Sequence, residues 1–316
     1  MQEEVCVREL GGGVSNIVLL AEWPSDPARR WVVKQSLGRL RVEDDWRAGR
    51  ERIFREAAAI ELLRDVLGPA SLPQILAVDR ENYLCIMTAA PAGSEPWKTA
   101  LLAGNVNCAV ARRAAEILGK LMRAGARAPE LRARFADRTA FDELRIDPYY
   151  RTTAARHPEL RPAYDALIED SLSIRTGLVH GDYSPKNMLV SDGDICLIDF
   201  EVVHWGDPAF DAGFWLNHLF LKALHLPRYA PRYFQAAREF WRTLTALTEG
   251  EDSTEFERMT LRHLGGLMMA RIDGKSPVEY ITDEATRRRV RALASRVLLD
   301  AIPTLEQAIQ LAEIRS

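Results

Sequence analysis

Two short stretches hold most of the side chains in this sequence that can do chemistry. Residues 179–190 read VHGDYSPKNMLV, and CLIDFE follows at 196–201. Asp182 is followed five residues on by Asn187, and Asp199 closes a short apolar run. Carboxylate and amide oxygens are the donors that hold a hard cation or orient a hydroxyl. Capping of turns by Asx side chains is the competing use. That use would require three separate elements to agree in spacing and order by accident. Earlier in the chain, Gly11-Gly12-Gly13-Val14-Ser15-Asn16 lies between two apolar runs, and Lys34 ends the run WVV. Glycines let backbone N–H groups approach an anion with no Cβ in the way. A phosphate cradle, a cation for the phosphate oxygens, ligands for Mg²⁺ and a group that orients the attacking hydroxyl are the parts of phosphoryl transfer.

Each residue then has an expected role. Asp182 orients the acceptor hydroxyl and takes its proton, with Pro185 stiffening the loop. Asn187 and Asp199 ligate Mg²⁺, and Glu201, on the same side as Asp199 if the chain is extended there, is a possible second metal ligand. The Gly11, Gly12, Gly13, Ser15 and Asn16 loop cradles the phosphates of ATP. Lys34 meets the same phosphates, held by Glu56 of the following helix, where Glu61 is a second acid. Backbone groups near Met87, Thr88 and Ala90 are expected at the adenine edge. For the second substrate the candidates are Asp182 itself, His204, Trp205 and Arg271, with a structural tryptophan the equal alternative for Trp205. Arg271, Asp273 and Lys275 surround a Gly in RIDGKSPVEY, a mix suited to a hydroxyl-rich or anionic ligand, or to a solvated turn. Asp142, Glu143, Asp147, Tyr149, Tyr150 and Arg151 form a further polar and aromatic patch.

The elements that position these residues are legible from periodicity. VCVREL, NIVLLAEW and RWVVKQ have the β-branched and apolar character of strands. Residues 46–66 carry an apolar stripe rich in helix formers that Gly68 and Pro69 end. QILAVD and NYLCIMT read as two more strands. AAPAGSEP is the linker candidate. Beyond it helices are expected over 106–122, 159–173, 209–224, 231–247, 254–271, 284–299 and 303–313, with short strands within 176–203. The expected fold class is α+β, with a β-rich nucleotide-binding lobe over 1–88, a hinge over 89–97 and a helical catalytic and substrate lobe over 98–316.

The bulk composition is consistent with an ordinary globular protein. The chain has 316 residues, 47% apolar and 28% charged, enough for two lobes. A net charge of −3 argues against nonspecific nucleic-acid binding. Four cysteines form no CxxC pair, and Cys85 and Cys196 lie in apolar runs as small core residues. The N-terminus shows no signal pattern, and no apolar run spans a bilayer, so a cytoplasmic protein without membrane attachment is expected. Oligomeric state is not readable.

HGD-x₄-N, a run ending in IDFE and then GDPAFD resemble the aminoglycoside phosphotransferase and choline kinase superfamily of small-molecule kinases. The order Gly loop, strand Lys, helix Glu is also that of kinase N-lobes. The resemblance implies a bilobal protein-kinase-like fold, with Asp182 as catalytic base and Asn187 and Asp199 on Mg²⁺. It implies that His180 is structural and that Asp207 and Asp211 hold the catalytic loop through backbone hydrogen bonds. Val33-Lys34-Gln35-Ser36-Leu37, with Leu40-Arg41-Val42 and Trp46, is similar to a segment of methylthioribose kinases, which lack the Pro-Lys-Asn form at 185–187. Gly181 replaces the Arg of protein kinases, Glu201 replaces their Gly, and no activation segment follows, which disfavours a protein substrate. The implied activity is ATP-dependent transfer to a hydroxyl of a sugar, aminoglycoside, amino alcohol or thioribose-like compound. The alternative is a degenerate kinase fold that binds nucleotide or a partner without transfer.

Overall fold

The structure, a computed structural model, describes residues 4–11, 13–41, 46–248, 253–300 and 302–314. Gly12 and Val42 lie outside the described residues.

The N-terminal part is an antiparallel sheet of β1 (Cys6–Glu9), β2 (Asn16–Trp23), β3 (Asp26–Ser36), β4 (Ile75–Asp79) and β5 (Leu84–Thr88) in the order β1-β2-β3-β5-β4. Lys34 therefore sits on the middle strand, paired with Val18 on one side and Cys85 on the other. A lysine on an edge strand can turn to solvent. One on the central strand that points inward, as Lys34 does, needs an acid.

That acid comes from helix α1 (Arg52–Leu67), which packs against the sheet. Its buried stripe runs Ile53, Glu56, Ala57, Ile60, Leu63 and Leu67, the i, i+3, i+4, i+7 pattern of a core-facing helix. Glu56 lies inside this stripe, while Glu61 is exposed. The helix begins later than residue 46 because the preceding segment is tied down. Leu40 donates its N–H to the Trp46 carbonyl at 2.9 Å, and Ala48 donates to Gly38 at 3.3 Å. Gly68 ends the helix at φ +93°, its N–H on the Arg64 carbonyl.

Residues 89–94 lead to β6 (Glu95–Pro96) and to helices α2 (Trp97–Leu102) and α3 (Cys108–Met122). After α3 come short helical turns and a wide, π-type helical segment, Asp142–Arg151, with Pro148 inside it. Then follow α4 (Arg161–Ser173), β7 (Gly177–Val179), β8 (Met188–Ser191), β9 (Asp194–Leu197) and β10 (His204–Gly206). The chain ends in α5 (Ala209–His225), α6 (Ala230–Leu247), α7 (Ser253–Asp273), α8 (Glu284–Leu299) and α9 (Leu305–Glu313). Helix α5 is buried on all sides over Ala209–Leu224, so it is the axis of the helical part. One apolar core runs from Ile53 and Met87 through α3 to α5 and α7. Among the described residues no helix is long and apolar enough to cross a membrane.

Candidate active site

The loop after β7 carries Asp182, and three backbone bonds fix it. Asp211, in the first turn of α5, accepts the N–H of His180 at 2.6 Å and of Gly181 at 2.9 Å. The His180 ring accepts the Asp182 N–H at Nδ1, at 3.1 Å, so its Nε2 donates to the Ile198 carbonyl at 3.1 Å. Burial pushes His180 down to about 4, so the ring works as a neutral link between the Asp182 loop and the segment leading to Asp199. Gly181 stands at φ +79°, and a Cβ there would lie 2.9 Å from the Val202 carbonyl oxygen. Asp207 caps the start of α5, accepting the Ala209 N–H at 3.0 Å, and its other oxygen faces His263.

Asp182 is buried with two cations on its carboxylate. Lys186 Nζ stands 3.0 Å and Arg145 Nη2 3.1 Å from Oδ2. Burial opposes the charge, but Lys186 and Arg145 hold the carboxyl well below its ordinary range. Neither cation was assigned a role from the sequence. Lys186 lies four residues from Asp182, a spacing that could have pointed to it. Arg145 comes from the π-type segment, and its Nε also donates to the Gly181 carbonyl at 2.6 Å.

Asn187 and Asp199 are brought together by the β8–β9 hairpin, where Met188 opposes Leu197 and the Ile198 N–H donates to the Asn187 carbonyl at 3.0 Å. The Asn187 amide nitrogen donates to the Asp182 carbonyl at 2.9 Å, which leaves Oδ1 as the free end. Asp199 has φ +73°, a left-handed conformation that Asp adopts more readily than most residues. Its Oδ1 lies 2.5 Å from Lys34 Nζ, and Glu56 Oε2 lies 2.7 Å from the same ammonium. Burial opposes the charge of Lys34, but Asp199 and Glu56 raise its affinity for the proton well above the ordinary value. Burial pushes Glu56 up to about 7 against the pull of Lys34, and the nearby Asp199 carboxylate adds to the rise.

Positions 34, 56, 182, 187 and 199 thus form one connected site. Among the described residues no cluster of three or more His, Cys, Asp or Glu side chains is placed to hold a metal. Asn187 and Asp199 offer two hard oxygen donors, a set that fits Mg²⁺ completed by phosphate oxygens and water.

Other expected residues are used differently. Glu201, expected as a second metal ligand, has both carboxylate oxygens engaged by protein donors. It accepts Ser15 Oγ at 2.7 Å, Asn16 Nδ2 at 2.8 Å and Arg52 Nε at 3.0 Å. Ser15 and Asn16 therefore spend their donors on Glu201, and the Gly-rich turn is clamped to α1. Arg52 tightens the clamp by donating to the carbonyls of Ser15 and Leu37 at 2.5 and 2.8 Å. Gly11 and Gly13 stand in open space. Removing one partner of a buried ion pair strands the other, so Arg52→Met is expected to lower stability by about 3–5 kcal/mol. Adding Glu201→Gln should return part of that loss. A shift in the urea midpoint, with m unchanged, measures it.

His204 and Trp205 are framework residues. His204 packs on Phe141 at 4.0 Å between ring centroids, with Nδ1 3.0 Å from the Val202 carbonyl. Burial pushes it down to about 3. Trp205 donates Nε1 to the Arg175 carbonyl at 3.0 Å. Both belong to β10, where His204 pairs with Val179 and Trp205 with Leu178 of β7. At the expected adenine edge, Met87 is buried within the sheet. The Thr88 N–H is taken by the Gln74 carbonyl at 2.9 Å, and the Ala90 carbonyl accepts Arg30 Nη1 at 3.0 Å. Arg271, on α7, reaches Tyr149 Oη at 3.3 Å and Ser276 Oγ at 2.8 Å.

Residues 7–249 match the model of the phosphotransferase enzyme family. No curated protein matches the sequence. Solved structures share the fold at low identity. An amicoumacin kinase, solved in complex with AMP-PNP, Ca²⁺ and Ami, is 14% identical, covers 96% of this chain and 91% of its own, and has a TM-score of 0.54. An aminoglycoside phosphotransferase from Alicyclobacillus acidocaldarius is 13% identical over 96% of this chain and 92% of its own, with a TM-score of 0.51. A choline kinase from Cryptosporidium parvum is 11% identical over 98% of this chain and 86% of its own, with a TM-score of 0.50. The fold is the bilobal kinase-like one, a small β-rich lobe beside a larger helical lobe. The match over most of the chain settles the family: this protein belongs to the phosphotransferase enzyme family.

Proposed function

We propose that the protein transfers the γ-phosphoryl group of Mg·ATP to a hydroxyl of a small molecule. The observation that carries this reading is the convergence of Asp182, Asn187 and Asp199 with the Lys34 ammonium, with Lys34 bonded directly to Asp199. The names of the fold relatives, kinases of choline, aminoglycosides and amicoumacin, favour an alcohol acceptor.

Residues 1–88 would hold the nucleotide, 89–97 would act as the hinge, and 98–316 would carry the catalytic and acceptor groups. Lys34 binds phosphate oxygens, and Glu56 keeps its ammonium in place. Asn187 Oδ1 and the Asp199 carboxylate would hold Mg²⁺, which neutralises charge on the phosphates. Asp182 accepts the hydrogen bond of the acceptor hydroxyl and aims its oxygen at the γ-phosphorus. That oxygen forms the new P–O bond as the bond to the ADP oxygen breaks, and the hydroxyl proton passes to Asp182. Arg145 and Lys186 keep Asp182 ionised and fixed. Positioning and charge neutralisation supply most of the rate in such a transfer.

Two measurements on the full chain test this reading. Mg·AMP-PNP is expected to raise the melting temperature by several degrees, since binding only to the folded state stabilises it. ADP release from Mg·ATP is expected to rise with a suitable alcohol. No nucleotide binding would contradict the proposal. Nucleotide binding without turnover of any alcohol would favour the non-transferring alternative.

A further inference from the structure

Beyond Asp182 lies a buried row of rings and cations, in which Arg145 is paired with Asp182 while Arg271 and Lys222 have no acid among the described residues. Arg145, on the Asp182 carboxylate, lies 5.7 Å from the centre of the Tyr149 ring, and Arg271 lies over the same ring, also at 5.7 Å. Tyr149 stacks in parallel on Phe214, and Phe214 meets His218 edge-on at 5.3 Å. One turn further along α5 comes Lys222, fully buried, its ammonium 5.1 Å from the Tyr280 ring centre. These contacts run as a continuous buried chain from the expected base to Lys222, and the charges of Asp182, Arg271 and Lys222 all reach His218.

Charge balance along this buried row is uneven. Asp182 is neutralised by Arg145 and Lys186. Glu279 is taken by Lys98, Asp147 by Lys275, and Asp273 by His157 and Arg291. Among the described residues neither Arg271 nor Lys222 has a carboxylate within ion-pair distance. Lys222 reaches only the His218 carbonyl, at 3.4 Å. Arg271 Nε and the Tyr280 hydroxyl are buried without a hydrogen-bond partner. A buried cation with no anion costs several kcal/mol, and buried polar atoms are normally paired. Burial, together with Lys98 and Arg271 and against Glu279, pushes Lys222 down to about 7. An arriving anion would restore its proton.

We propose that Arg271, Lys222 and the Tyr280 hydroxyl form the acceptor subsite, and that the acceptor is an alcohol bearing an oxyanion, a carboxylate or a phosphate. This rests on the phosphotransferase reading above and names its substrate class. The anionic end docks on Arg271 and Lys222, and the hydroxyl extends past Tyr149 to Asp182. A cationic amino alcohol or an aminoglycoside would meet two unpaired cations there, and like-charge juxtaposition excludes it.

The test reads ADP release from the full chain with Mg·ATP across four groups of alcohols. D-Glycerate and D-gluconate carry carboxylates, and glycerol 3-phosphate and glucose 6-phosphate carry phosphates. Choline, ethanolamine and kanamycin are cations, and ribose is neutral. Stimulation by an anionic alcohol and not by the cations is expected, and the arm that responds identifies the oxyanion. Preferred turnover of a cationic or neutral alcohol, or no response to any anion, overturns the proposal. In Arg271→Met the KM for the responding alcohol should rise by about 10- to 100-fold, the range of one charge-assisted hydrogen bond, with kcat nearly unchanged. Lys222→Met should raise the same KM and also raise the melting temperature of the ligand-free protein. A lower melting temperature with an unchanged KM would make Lys222 a packing residue and overturn its role. Mg·AMP-PNP binding is measured separately. Its absence would sink the phosphotransferase reading itself, whereas its presence with turnover of choline would sink only the acceptor assignment.

Discussion

Asp182→Asn is expected to lower kcat by about 10²-fold or more, the range for loss of a positioned general base. The amide keeps the shape and one oxygen for Lys186 and Arg145, so the loop should keep its place. What it loses is the charge that orients the acceptor hydroxyl and receives its proton. Those two cations are then left facing a neutral group, and a few degrees of melting temperature should go with it. Rates are therefore compared well below the transition, with the KM for ATP unchanged as the control. Turnover within a few-fold of the parent would remove Asp182 from the chemistry. The pH profile offers a second check. Lys186 and Arg145 hold the Asp182 carboxyl well below its ordinary range despite burial, so it stays ionised at any working pH. A depressed carboxyl loses its charge only as pH falls through its lowered value, so any acid limb of kcat above pH 5 must come from another group.

Asp199→Asn is expected to weaken Mg·AMP-PNP binding by at least about 100-fold, since even the loss of a group that only orients a ligand costs about 10- to 100-fold in metal affinity. Asn is the informative substitution. It tolerates the left-handed φ of +73° and can still accept a hydrogen bond from Lys34, so the change isolates the charge. Asp199→Ala would add backbone strain and leave the ammonium with Glu56 alone. Titration calorimetry with and without Mg²⁺ separates the two contributions. The parent should show a large metal-dependent gain in nucleotide affinity, and Asp199→Asn should show almost none. Equal gains in both proteins would place the metal elsewhere.

Where the sequence reading succeeds and fails has physical causes. Asp182, Asn187 and Asp199 are legible because a tight loop and a hairpin bring them together, and both have local signatures. Lys34 and Glu56 are legible because strand alternation and a helical stripe fix which way each points. Glu201 was misplaced because the two-residue rule holds only for extended chain. Asp199 turns left-handed, and the Val203 N–H closes a turn on Phe200 at 3.1 Å. Glu201 is directed toward Ser15 and Arg52. His204 and Trp205 follow the motif in sequence but are drawn into pairing with β7. Arg145 had no readable signal, since a π-type turn around Pro148 follows neither the 3.6 nor the 2.0 period. Lys222 was equally silent, because a helix buried on all sides has no polar face against which one lysine stands out.

Everything proposed for this chain depends on the oxygens at 182, 187 and 199 meeting one nucleotide beside Lys34. A crystal structure with Mg·AMP-PNP tests that most directly. The account predicts Mg²⁺ at about 2.1 Å from Asn187 Oδ1 and an Asp199 oxygen, with Lys34 on a phosphate oxygen and Asp182 facing the γ-phosphate. A metal held by other side chains, or a γ-phosphate turned away from Asp182, would contradict it.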